Sequence, residues 1–191
     1  MQDFTKYAKQ TLDFDVLPAG GYIAKIIEVD DRTWIGHAEP AHMIFMDIAE
    51  GEHRGIYKKN NAGSDKDRWL GYWFAEPGKG SPEWLLSKVG GIQTSLAESN
   101  DSVSLTDPHS WKGKYVGVVV GDEEAESNSG TVYTRPYVSY ICSTERIRKG
   151  EGQPGGYKIP KLKTLAPSAP RPLISTDVPD SFSAAEDDIP F

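Results

Sequence analysis

The sequence has one cysteine, Cys142, in 191 residues. That excludes an intrachain disulfide and any zinc site built from several thiolates, and the β-formers around it point to a core thiol. Also missing is any apolar run near the ~20 residues a membrane-spanning helix needs. The start, Met1-Gln-Asp-Phe-Thr-Lys6, lacks the basic-then-apolar order of a secretory signal, so a cytoplasmic protein without membrane partners is expected. There is no Gly-rich phosphate loop with its lysine, no nucleophile elbow and no HExxH helix. His37, His42 and His53 lie near Asp47, Glu50 and Glu52, but their spacing matches no known ligand set, and His109 stands alone. The expectation is a protein without catalysis, metal or cofactor.

A net positive charge is lacking too. The chain carries 21 Lys and Arg against 28 Asp and Glu, a net charge of −7. The deficit is not confined to the C-terminal part, because residues 1 to 149 hold 17 cations against 22 acids. Any nucleic-acid surface must then be a local basic patch, and its binding salt-sensitive.

What is present is a β-rich pattern. Residues 1 to 17 read as an arm. After the turn at Pro18-Ala-Gly-Gly21 a first strand is expected over Tyr22 to Val29, and a second over His42 to Ala49. Trp34 sits in the loop between them. Arg54 to Asn60, carrying Tyr57, Lys58 and Lys59, is expected as the third strand. Arg68 to Phe74 then packs four aromatics into seven residues, too many for one narrow core face. Ser81-Pro82-Glu83 has the form of a helix N-terminus, and Leu85, Val89, Ile92 and Leu96 make one face of the helix that follows. Gly90-Gly91 either weakens that helix or admits a close neighbour. Lys114 to Gly121 and Val132 to Ser143 are the fourth and fifth strands, with Pro136 marking an edge or a bulge and residues 122 to 130 a hairpin tip.

Three strands, a capped helix and two more strands is the order of an OB-fold, a five-stranded partly open barrel whose second and third strands and 1–2 and 4–5 loops contact oligonucleotides. A generic antiparallel β domain with one packed helix fits the same string. The domain is expected over residues 18 to 149, followed by a flexible linker over 150 to 185 that turns Pro/Ser/Ala-rich after Leu165.

The chain closes on Glu186-Asp187-Asp188-Ile189-Pro190-Phe191. A terminal aromatic can fill an apolar pocket, its carboxylate can be captured by backbone N–H groups, and the acids can face a basic rim. This stretch resembles the acidic tip of bacterial and phage single-stranded DNA-binding proteins, which recruits replication and recombination enzymes. Leu17 to Ile26, Asp47 to Gly51 and Lys114 to Val120 resemble small phage and mobile-element proteins of Gram-positive bacteria. The N-terminal pattern of the housekeeping proteins is absent, so only the tip residues carry over as partner-binding, and homo-oligomerisation is left open.

Single strands are held by aromatic platforms that stack on bases and by cations that follow the backbone. The candidate platforms are Trp34, Tyr57, Trp69, Tyr72, Trp73, Tyr133 and Tyr137. The candidate cations are Lys58, Lys59, Lys66, Arg68 and Arg135, while Trp84 and Trp111 are assigned to packing. The expected function is sequence-independent binding of single-stranded DNA. The rival is a protein-interaction adaptor of replication or recombination that never touches DNA.

Overall fold

The computed structural model describes residues 15–32, 41–62, 69–75, 82–104, 106–127 and 130–165. Five strands, β1 (Gly20–Arg32), β2 (Ala41–Ile48), β3 (Leu70–Ala75), β4 (Tyr115–Glu126) and β5 (Val132–Cys142), form one antiparallel sheet in the order β3-β2-β1-β4-β5. Helix α1 (Ile56–Asn61) lies between β2 and β3, α2 (Pro82–Ser99) between β3 and β4, and α3 (Thr144–Lys149) after β5. Among the described residues no helix is long and apolar enough to cross a membrane.

The long β1 is shared between two partners. Its first half, Gly20 to Lys25, pairs with β4, and Ala24 to Arg32 pairs with β2. The register shifts between Ile26 and Glu28. Ile26 and Val29, three residues apart, would face opposite sides of a regular strand, yet both are buried in the core. The bulge resolves this, and it adds the local twist that curls a sheet. The outer strands β3 and β5 approach each other, but the sheet order joins them by no ladder, so the sheet is open.

On the inner face, Ile26, Ile44, Met46, Leu70, Phe74, Val116, Val118 and Val120 pack with Ile92 and Leu96 of α2. Trp111, fully buried, donates its indole N–H to the Ser104 carbonyl at 2.7 Å and meets the Phe74 ring at 5.6 Å. Its expected packing role is what the structure shows. Cys142 is buried as well, and burial pushes its thiol up to about 11 against a smaller pull from Arg146. Val89, Ile92 and Leu96 face the core as the helical spacing predicts; the side chain of Leu85 lies outside the described part.

The expected third strand is corrected. Residues 56 to 61 are helical, and β3 is the aromatic segment that follows. The reason is Asp47, a buried residue whose carboxylate reaches across to the start of α1. One oxygen accepts from Ile48 N at 2.8 Å and Tyr57 N at 3.1 Å, the other from Lys58 N at 3.2 Å. The last two are N–H groups that a helix leaves without partners at its first turn. In β3, Leu70 and Phe74 are buried and Tyr72 packs against the same core, while Gly71 and Trp73 alternate with them.

Gly90 and Gly91 admit no close neighbour, because a Cβ at either would meet nothing within 4 Å. Gly90 therefore only weakens α2. Gly90→Ala is expected to stabilise the protein by about 0.5–1 kcal/mol, read as a rise of a few degrees in Tm. An unchanged or lower Tm would contradict it.

Residues from Gly150 onward, expected to begin a flexible linker, are folded through Leu165. Arg146 donates to the Gly156 carbonyl at 3.1 Å, and Gly152 N donates to the Tyr157 carbonyl at 2.9 Å. The chain then runs as a strap over the outer face of β1 and β4. A Cβ on Gly21 would fall 2.4 Å from the Tyr157 ring, and one on Gly121 would fall 2.4 Å from Pro160. Lys163 N donates to the Asp122 carbonyl at 3.0 Å, and Glu124 N to the Lys163 carbonyl at 2.9 Å, so the strap ends as a short parallel addition to β4. With α3 covering the same face beside Gly117, where a Cβ would fall 2.7 Å from Ile147, this accounts for the burial of Ile23, Val119 and Cys142 outside the inner core.

Candidate nucleic-acid interface

Where β3 and β5 face each other without pairing, a cleft of ≈ 980 Å³ opens, with α2 along one side. Trp69, Tyr72 and Trp73 come to it from the β3 side, Tyr57 from α1, and Tyr137 and Tyr140 from β5. Tyr57 and Tyr72 are half-buried against the core, and burial pushes both phenols up to about 12. They stay neutral at physiological pH and act as apolar wall.

Trp84 departs from its expected packing role. It is 48% exposed and lines the cleft. Lys88, one turn further along α2, was not among the candidates. Its ammonium sits 4.6 Å from the centre of the Tyr72 ring and 5.0 Å from that of Trp84, and it donates to the Trp73 carbonyl at 2.5 Å. Two ring faces and a carbonyl thus fix a positive charge among the aromatics. A signal for it was available: Trp84, Lys88 and Gly91 follow the i, i+4, i+7 spacing of a second helical stripe, beside the one that meets the core.

The second cation of the cleft is Arg135. Its Nη2 lies 2.8 Å and its Nε 2.9 Å from one oxygen of Glu123, whose other oxygen is 3.2 Å from Lys163 Nζ. Burial alone would raise the Glu123 carboxyl, but the bonds from Lys163 and Arg135 prevail and hold it below its usual range. The trio carries one net positive charge, and Lys163 also lies 5.6 Å from the Tyr137 ring centre.

The structure therefore brings six of the expected residues, Tyr57, Trp69, Tyr72, Trp73, Arg135 and Tyr137, to one cleft. It does not bring the others there. Lys58 and Lys59 are exposed on α1, and Tyr133 is exposed near the β4–β5 hairpin end. Trp34, Lys66 and Arg68 lie outside the described residues, as do Glu186, Asp187, Asp188, Ile189, Pro190 and Phe191.

The histidines do not converge on a cation site among the described residues. His42 Nδ1 is 2.5 Å from one oxygen of Asp31 and His109 Nε2 is 3.0 Å from the other, so a single carboxylate links the β1–β2 pair to the turn at Pro108–Trp111. Burial works against the Asp31 carboxylate, but the two imidazole bonds lower its pKa, and the same bond raises that of His109. His53 stands apart, edge-on to Tyr22 at 5.8 Å, and His37 lies outside the described residues.

No family model and no curated protein matches this chain.

Proposed function

We propose that this protein binds single-stranded DNA without sequence preference, in an OB-like domain whose β3–β5 cleft takes the bases. The observation that carries the reading is the convergence of Trp69, Tyr72, Trp73, Trp84 and Tyr137 with the fixed cations Lys88 and Arg135 on one open groove. Stacking on such rings is tolerant of sequence and is worth roughly 1–3 kcal/mol per base. The strand order, with the helix between β3 and β4 and the outer strands facing each other, supports an OB barrel over a generic sheet. The tip Glu186 to Phe191 recruits a replication or recombination protein, a role supported by its resemblance to the tips of single-stranded DNA-binding proteins. The adaptor reading draws on the net charge of −7 and on Asp15 and Glu123 in the cleft lining.

Titration with fluorescent oligo-dT at 50 and 200 mM salt separates the two readings. Saturable binding that quenches tryptophan fluorescence and weakens with salt is expected. Deleting Asp187 to Phe191 should leave affinity equal or slightly higher, since it removes a polyanion from the same molecule. No binding at 50 mM salt would leave only the adaptor.

A further inference from the structure

We infer that the strap over residues 157 to 165 forms the phosphate-contacting rim of the cleft, with Lys158, Lys161 and Lys163 as its cations. The inference rests on the single-strand reading above and adds a surface to it. The two tyrosines that β5 contributes to the cleft are the residues the strap grips. The Tyr140 hydroxyl donates to the Lys158 carbonyl at 3.3 Å and lies 3.1 Å from Lys158 N, while Lys163 sits against the ring of Tyr137. Lys163 shares Glu123 with Arg135, and both of those residues line the cleft. Tyr137 stands opposite Gly121 and Tyr140 opposite Val119, on the sheet face that the strap covers, so the aromatics that β5 gives the cleft and the cations of the strap adjoin.

The strap is held firmly enough to place those charges. Its backbone pairs with β4 at Asp122 and Glu124, and Tyr157 and Pro160 fill the space left by Gly21 and Gly121. Lys158, Lys161 and Lys163 are all exposed. Along an extended chain, Lys158 to Lys163 spans roughly 16 Å at about 3.3 Å per residue. A strand with its bases in the cleft would carry its phosphates along this rim. This also accounts for how a chain of net charge −7 assembles a local basic footprint: the cations come from the segment whose composition resembles a linker.

The test compares the full-length chain with Lys158→Gln/Lys161→Gln, two changes that leave the Lys163–Glu123 pair and every strap backbone bond in place. Oligo-dT affinity is measured from 50 to 200 mM salt. Each lost phosphate contact removes about 0.7 from the salt slope for a single strand, so the slope should fall by about 1.4, a roughly sevenfold difference across that range. A matching pair, Lys112→Gln/Lys114→Gln, lies at the opposite end of β4, roughly 30 Å from Glu123 by strand rise, and should leave the slope unchanged. Equal effects from both pairs would mean diffuse charge and would overturn the rim. An unchanged slope in the strap variant, with its Tm preserved, would overturn it too. Failure of the unmodified chain to bind at 50 mM salt would instead remove the single-strand reading itself.

Discussion

Replacing Asp47 with alanine is expected to lower the unfolding free energy by about 3 kcal/mol or more, among the largest effects of any single polar substitution in this chain. The carboxylate is buried and accepts three backbone N–H groups, two of them at the start of α1. Truncation leaves those donors without this partner, the Ile48 N–H in buried and the Tyr57 and Lys58 N–H groups in part-buried surroundings, and removes a charged acceptor whose bonds are worth about 1.5–3 kcal/mol each. The N-cap residue Gly55 supplies no side-chain bond that would take over. Asp47→Asn keeps one oxygen acceptor and should cost clearly less. Urea unfolding of the three proteins measures the difference as a shift in midpoint at constant slope. A cost below about 1 kcal/mol for the alanine variant would mean that α1 is held by something other than this carboxylate. Because α1 carries Tyr57 into the cleft, the same variant reports whether anchoring the helix also shapes the groove.

The second large effect is on binding. Trp73→Ala/Trp84→Ala is expected to weaken oligo-dT affinity by roughly 30-fold to about 20,000-fold, from about 1–3 kcal/mol of stacking per platform. Both tryptophans line the cleft, and both meet Lys88, Trp73 through its backbone carbonyl and Trp84 through its ring face. The loss should appear at both low and high salt, because stacking does not depend on counterions as phosphate contacts do. Trp84 is 48% exposed, so its truncation should cost little stability. Wild-type affinity in the double variant would place the strand elsewhere on the molecule.

Much of the strand pattern was legible in the sequence. β1, β2, β4 and β5 lie where runs of β-branched residues place them, and α2 begins at Pro82 as its capping pattern indicates. Arg54 to Asn60 misled because the interaction that makes it helical is non-local: a carboxylate at Asp47, ten residues before Tyr57, supplies the first-turn acceptors. The aromatic run that is β3 concealed its alternation, since Trp73 on the second face is as apolar as Phe74 on the first. The cleft was half visible. The interleaving of rings and cations over residues 54 to 74 pointed at its β3 side. Lys88 and Trp84 are less visible because they lie on a second stripe of a helix whose periodic apolar signal comes from its core face. The strap left no periodic trace, with Pro160 and three lysines among its residues 157 to 165; its signature was Gly121 inside an otherwise bulky strand, where a missing side chain marks a close neighbour.

The docked strap also moves the boundary of the folding unit. A protein shortened at Gly150, where composition changes, would bare the outer faces of β1 and β4 around Gly21, Val119 and Gly121, and leave Asp122 and Glu124 as an unpaired edge. Such a surface invites edge-to-edge association. The described fold extends to Leu165, whose N–H donates to Glu124 near the end of the β4–β5 hairpin. Leu165 is therefore tethered beside Glu124, next to the Glu123 and Arg135 of the cleft lining, and not at the end of β5.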